Sequence, residues 1–122
     1  MEDVEAAVQK FQRELNSGTV ALVLLSVLEA SKMPLYGYEI ARRLDRDDEE
    51  EPRVKQGTLY PVLRSLESGG LLRSEVEPSS SGPPRRYYRV TGLGQEVLAA
   101  WEERWEKTRD FVDEIRKGAN GG

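Results

Sequence analysis

Thr58, Tyr60 and Arg64 bring a hydroxyl, a phenol and a guanidinium into one short stretch, KQGTLYPVLRSLESGGLL at residues 55–72. Groups of this kind hold an anion such as a phosphate by charge-assisted hydrogen bonds. Their spacing is helical. Leu59, Val62, Leu63 and Leu66 fall at i, i+3, i+4 and i+7, so one face of a helix is apolar. The other face carries Gly57, Thr58, Pro61, Arg64, Ser65 and Ser68, with Tyr60 at the flank. Pro61 has no N–H and fits a first turn, which predicts a helix start near Gly57 or Thr58, where Thr58 can cap the free N–H groups. Gly69-Gly70 then ends the helix, because glycine reaches the left-handed conformation at low cost. The product is a short helix with a smooth, weakly polar outer face, shaped to lie in a groove. Lys55 and Gln56 lead into it and join the candidate contacts.

Catalysis has few possible carriers. The 122-residue chain contains no cysteine and no histidine. That excludes disulfides, thiol chemistry, zinc sites with Cys or His ligands and histidine acid–base work. No glycine-rich phosphate loop appears, and the carboxylates are scattered, so neither an enzyme nor a cofactor is implied. The acidic run DRDDEEE at residues 45–51 reads as a solvated loop, since blocks of like charge repel, and it lacks the fixed geometry of a metal site. The apolar stretches are too short to span a bilayer and no signal-peptide pattern opens the chain, so a soluble, cytoplasmic protein is expected. The net charge of −4 counts against nucleic acid. Its distribution counts the other way: residues 53–89 hold seven cations against three acids.

The surrounding chain reads as one domain. Residues 2–15 form an amphipathic helix with Val4, Ala7, Val8, Phe11 and Leu15 on one side, and Asn16-Ser17-Gly18 predicts a break or kink. Residues 19–30 are apolar nearly all round, a helix at the centre of the domain. After Pro34 comes a third helix over residues 36–44. Beyond the grooved helix, residues 72–77 and 85–90 alternate as strands around a long loop at 78–84 rich in Pro, Gly and Ser. Thr91 then opens a last helix of about 26 residues, about 39 Å long. Its apolar line runs through Leu93, Val97, Trp101, Trp105, Thr108, Val112 and Ile115. Residues 118–122 look like a disordered tail. The expected division is an N-terminal dimerisation helix at 1–18, a DNA-binding unit at 19–90, a C-terminal dimerisation helix at 91–117 and the tail.

This order of elements is that of a mainly α fold, a winged helix-turn-helix with a two-stranded wing plus N- and C-terminal dimerisation helices. In such a fold the second helix of the motif enters the major groove and the hairpin reaches a neighbouring groove or the backbone. Arg64 is the candidate for a base edge or a phosphate. Thr58 and Tyr60 suit phosphate oxygens at a helix N-terminus. Arg85 and Arg86 suit phosphates or a narrow minor groove. Blander alternatives stand beside these: Thr58 as a plain cap, Tyr60 as a core-edge aromatic, the two arginines as a solvated strand end. A winged helix can also present the same face to protein, and the overall acidity favours that alternative. The uncovered apolar stripes of the first and last helices mark an interface between two copies, which would set two reading helices about 34 Å apart on a near-palindromic site.

YGYEIARRL at 36–44, GTLYPVLRSLESGGLL at 57–72 and GPPRRYYRVTGLG at 82–94 resemble the PadR family of bacterial and archaeal transcriptional regulators, over residues 20–98. The resemblance implies a winged-helix repressor that dimerises through its terminal helices. It implies DNA contacts from the GTLYP residues, Pro61 included, from Tyr36 and Tyr38, and from the wing arginines. The single terminal helix is similar to that of the short branch of the family. Gly92 stands where an acidic residue is common in the family, which weakens that helix start. In a multidrug-sensing branch a tryptophan stands at the position matching Trp105, with the N-terminal helices as the opposite wall. Leu15, Ala21 and Leu22 would then face Trp101 and Trp105 across a flat cavity for a planar aromatic compound, with Arg109 selecting acidic ligands. The alternative is that both tryptophans are simply interface core.

Overall fold

The computed structural model describes residues 3–46, 48–49 and 53–119. Its elements are α1 (Val4–Ala30), β1 (Leu35–Tyr36), α2 (Gly37–Leu44), α3 (Gln56–Ser68), β2 (Leu72–Ser79), β3 (Gly82–Val90) and α4 (Gly92–Ala119). One apolar core joins them. Leu24, Leu25 and Leu28 of α1 meet Leu35, Ile40 of α2, Leu59, Leu63 and Leu66 of α3, Tyr88 of the sheet and Leu98 of α4. The helical face read from Leu59, Leu63 and Leu66 is the buried one, and Val62 is half-buried beside it.

Four local expectations are corrected. The break at Asn16-Ser17-Gly18 does not occur, and α1 runs through it as one helix of 27 residues. The polar groups there bond to their own helix: Ser17 Oγ donates to the Glu14 carbonyl at 2.8 Å, and Thr19 Oγ1 to that of Leu15 at 3.0 Å. A single glycine costs only about 1 kcal/mol relative to alanine, too little to stop a helix docked along its second half. Second, α3 begins at Gln56, next to the expected start, but Thr58 does not cap it. Lys55 is its cap residue, without a side-chain bond, and the Lys55 carbonyl accepts from the N–H groups of Thr58 and Leu59, each at 2.9 Å. Thr58 therefore lies inside the first turn and is not the cap. Pro61 falls in the second turn, where it withholds the N–H that would bond the Gly57 carbonyl. Both residues are exposed, which leaves that carbonyl to solvent.

Third, residue 36 is not helical. Leu35–Tyr36 is a two-residue strand pairing antiparallel with β3, Leu35 against Tyr88 and Tyr36 against Tyr87. The sheet has three strands in the order β1-β3-β2. So short a strand shows no alternation to read. Fourth, the long hairpin loop contracts to a tight tip, because β2 extends to Ser79 and β3 starts at Gly82. Pro78 falls in a register irregularity between Glu77 and Ser79. Pro83 and Pro84 lie on β3 before it meets β1, where one edge is open and no ladder N–H is required of it.

The ends of α3 and α4 are tied together. Gly69 and Gly70 close α3 as expected: Gly70 takes φ +80°, its N–H bonds the Glu67 carbonyl, and the Leu71 N–H bonds that of Leu66, each at 2.9 Å. Thr91 caps α4, its Oγ1 accepting from the Gly94 N–H at 3.0 Å while donating to the Gly70 carbonyl at 2.6 Å. That cap offsets the weak start expected from Gly92. At the far end α4 continues through Gly118 and Ala119, where a tail is predicted, with Arg116 and Lys117 in the last turn complementing the helix dipole. Residues 120–122 of that expected tail, and Asp47, Glu50 and Glu51 of the acidic run, lie outside the described residues.

Candidate nucleic-acid interface

Anchored from beneath by its leucines, α3 turns a continuous exposed face outward. Gln56, Gly57, Thr58, Tyr60, Pro61, Arg64, Ser65 and Ser68 are all exposed, so every sequence-predicted contact on this helix lies at the surface. Lys55, just before the helix, is exposed too. It borders, with Thr58, Arg13 and Asn16, a polar cleft of about 600 Å³ between α1 and the start of α3. Tyr60 does two things. Its ring covers Gly37, where an added Cβ would stand 2.5 Å from both Cε1 and Oη of the phenol. A side chain at residue 37 would have to push the Tyr60 ring aside. Tyr60 nevertheless stays 39% exposed, so its outer edge remains available.

Beside this face the tyrosines of β1 and α2 form a cluster with the wing. The rings of Tyr36 and Tyr38 stack with centroids 6.3 Å apart, and Tyr87 of β3 meets Tyr36 edge-on at 5.4 Å. Arg85 Cζ lies over the Tyr36 ring at 4.5 Å from its centroid, and Arg42 Cζ is 5.9 Å from that of Tyr38. Glu39 Oε1 accepts the Tyr36 N–H at 3.1 Å, which pins the start of α2. Tyr87 and Arg42 are absent from the residues expected from sequence. Tyr87 stands in the RRYYR run, but its contact with Tyr36 follows from the β1–β3 pairing, which the sequence does not announce.

The two wing arginines separate. Strand alternation puts Arg85 and Tyr87 on one side of β3 and Arg86 and Tyr88 on the other. Arg86 Nη1 donates to Ser74 Oγ at 2.9 Å, and that hydroxyl donates to Glu67 Oε2 at 2.6 Å. Burial, with the nearby Glu67 carboxylate adding to it, pushes the Tyr88 hydroxyl pKa up.

The predicted ligand-facing residues also converge, with one exception. Leu15, Ala21 and Leu22 of α1 face Trp101 and Trp105 of α4 across a cleft of about 470 Å³, completed by Glu14, Gly18, Thr19, Arg104 and Thr108. Arg109 is not among its lining residues, and its guanidinium bonds the adjacent Asp110 at 3.2 Å. On a helix residue 109 lies about 80° around from residue 101, whereas residue 108 lies only about 20° away. Arg104 is the cation that reaches the cleft instead. Beyond it, Val4, Val8 and Phe11 of α1 and Phe111, Val112 and Ile115 of α4 are exposed apolar side chains. Among the described residues no helix is long and apolar enough to cross a membrane.

Comparison with known proteins agrees with this geometry. The profile of the Transcriptional regulator PadR-like family matches residues 24–100, from the core of α1 to the first turns of α4. A PadR family transcriptional regulator from Eggerthella lenta is 38% identical and superposes with a TM-score of 0.75, covering 91% of this chain and 93% of its own. A PadR-like transcription factor from Bacteroides fragilis is 32% identical with a TM-score of 0.67, covering 87% and 98%. Transcriptional regulator Rv3488 of Mycobacterium tuberculosis is 33% identical over 110 residues, 90% of this chain and 91% of the relative. With its three-stranded wing sheet, exposed α3 and capped α4, the chain belongs to the PadR-like family of transcriptional regulators.

Proposed function

We propose that the protein is a sequence-specific DNA-binding repressor that acts in the cytoplasm as a homodimer and is released from its operator by a small ligand. The observation that carries this reading is α3, whose outer face is exposed along its length while its leucines are fixed in the core. A B-DNA major groove about 12 Å wide admits one such helix. Arg64 supplies the cation at its middle, with Thr58, Tyr60, Lys55 and Gln56 at the end nearer the backbone. Tyr36, Tyr38 and the wing meet the flanking phosphates.

Pairing through α1 and α4 covers the apolar side chains that one chain leaves exposed, and a two-fold pair presents two α3 helices to a near-palindromic site. The α1–α4 cleft lies beside that apolar surface, so a planar aromatic ligand between Trp101 and Trp105 would act where the two copies meet. Such a ligand changes the spacing of the reading helices, and hence affinity for DNA, without touching them.

Fluorescence anisotropy with a labelled duplex from upstream of the protein's own gene tests the DNA contact. Each phosphate neutralised should add about 0.9 to the slope of log K against log salt, so a steep fall with salt is expected. A flat salt dependence, or no binding in dilute buffer, favours a protein-interaction module, in keeping with the net charge of −4. Ligand binding has its own readout. Planar aromatic dyes should quench tryptophan fluorescence, and Trp105→Ala should remove most of that quenching. Unchanged quenching in this variant would place the ligand elsewhere.

A further inference from the structure

We propose that Tyr36 is a positioning residue for DNA contact, holding the Arg85 guanidinium on the wing so that Arg85, and not Arg86, is the wing cation that meets phosphate. The inference rests on the DNA-binding reading above. It begins from an ion pair that does not form. Glu77 stands directly opposite Arg85 in the β2–β3 ladder, where a cross-strand ion pair would be ordinary. Yet among the described residues Arg85 makes no ion pair, and its Cζ lies 4.5 Å from the centroid of Tyr36. A guanidinium attracted to a ring face keeps its N–H donors at its edge, available to an acceptor such as a phosphate oxygen.

The neighbouring arginines are engaged otherwise. Arg86 donates to Ser74 on the opposite side of β3, and Arg89 Nη2 lies 3.7 Å from Glu75 Oε1. Tyr36, by contrast, is held from several directions. Its backbone pairs with Tyr87 in the sheet, the Tyr87 ring meets it edge-on, Tyr38 stacks beside it, and Glu39 accepts its N–H. The ring is therefore a fixed platform, and an arginine resting on it loses less freedom when it meets DNA.

Anisotropy titrations of the full chain against the same upstream duplex, over a range of salt, test the assignment. Arg85→Ala should weaken binding and lower the salt slope by about one for each wing engaged, while Arg86→Ala leaves the slope as it is. Tyr36→Val, which keeps strand propensity, should weaken binding about two- to fivefold, and Tyr36→Phe, which keeps the ring under Arg85 and removes only the hydroxyl, should lose less affinity than Tyr36→Val. In the Tyr36→Val background Arg85→Ala should cost less than it does alone, with thermal melts confirming that each variant is folded. Independent, additive losses from Tyr36→Val and Arg85→Ala would overturn the positioning role. A slope reduced by Arg86→Ala and not by Arg85→Ala would overturn the choice of arginine, and this comparison stands even if the Tyr36 variant fails to fold. If the parent protein does not bind the duplex at all, the DNA-binding reading itself falls, an outcome distinct from either of these.

Discussion

Arg64→Ala should lower affinity for operator DNA by about 5- to 150-fold for each reading helix engaged, the 1–3 kcal/mol expected of an arginine on a guanine edge. The size follows from where the side chain stands. Arg64 is exposed on the outer side of α3, with Leu63 and Leu66 buried behind it, and among the described residues it makes no ion pair. Its removal therefore strands no ion-pair partner. Alanine is the better helix former, so the melting temperature and the oligomeric state should stay where they are, within about 0.5 kcal/mol. The salt dependence separates two roles. If Arg64 meets a phosphate, the slope falls by about one per subunit and all sequences lose affinity alike; if it meets a base edge, discrimination between sequences relaxes. Unchanged affinity would remove Arg64 from the interface.

The exposed side of α3 was legible in the sequence because Leu59, Val62, Leu63 and Leu66 define its opposite side by simple periodicity. The uncovered stripes of α1 and α4 were legible for the same reason. What periodicity does not carry is pairing at a distance. β1 has two residues, too few for a pattern, so the contact of Tyr36 with Tyr87 and the placement of Arg85 over Tyr36 emerge only with the β1–β3 register. Breakers were read too strongly. Gly18 sits in the middle of α1 and Pro61 in the second turn of α3, because tertiary packing of the neighbouring leucines outweighs a local cost of a few kcal/mol at most. Arg109 was misplaced on the cleft by adding a second step of four: Trp101 to Trp105 turns the helix by about 40° and four more residues carry Arg109 to about 80°, whereas Thr108 returns to within about 20° of Trp101.

Gly94→Ala should destabilise the fold by about 1–3 kcal/mol, against a gain of about 1 kcal/mol that alanine would bring to an unobstructed helix. An added Cβ at Gly94 runs into the Leu71 backbone carbonyl and would lie 2.7 Å from Cγ1 of Val90. That carbonyl cannot easily withdraw, because it accepts the Thr91 N–H at 3.1 Å, and Thr91 in turn bonds Gly70 and caps α4. Relief of the clash therefore has to come from α4 tilting away from the base of the wing. Gly18→Ala is the matched control: it too lies inside a helix, nothing stands within 4 Å of its added Cβ, and the same substitution should raise stability there by about 1 kcal/mol. Thermal melts of the two variants should shift in opposite directions, and a Gly94→Ala protein that melts with or above the parent would mean that the junction of α4 with the wing is looser than its packing implies. The consequence reaches function through geometry. The α1 wall of the cleft packs directly on α3 in the core, while the α4 wall reaches α3 through this junction, so a rigid Gly94 contact would help a ligand at Trp105 reposition α3. Loosening the junction should weaken the effect of ligand on DNA affinity more than it weakens either binding step alone.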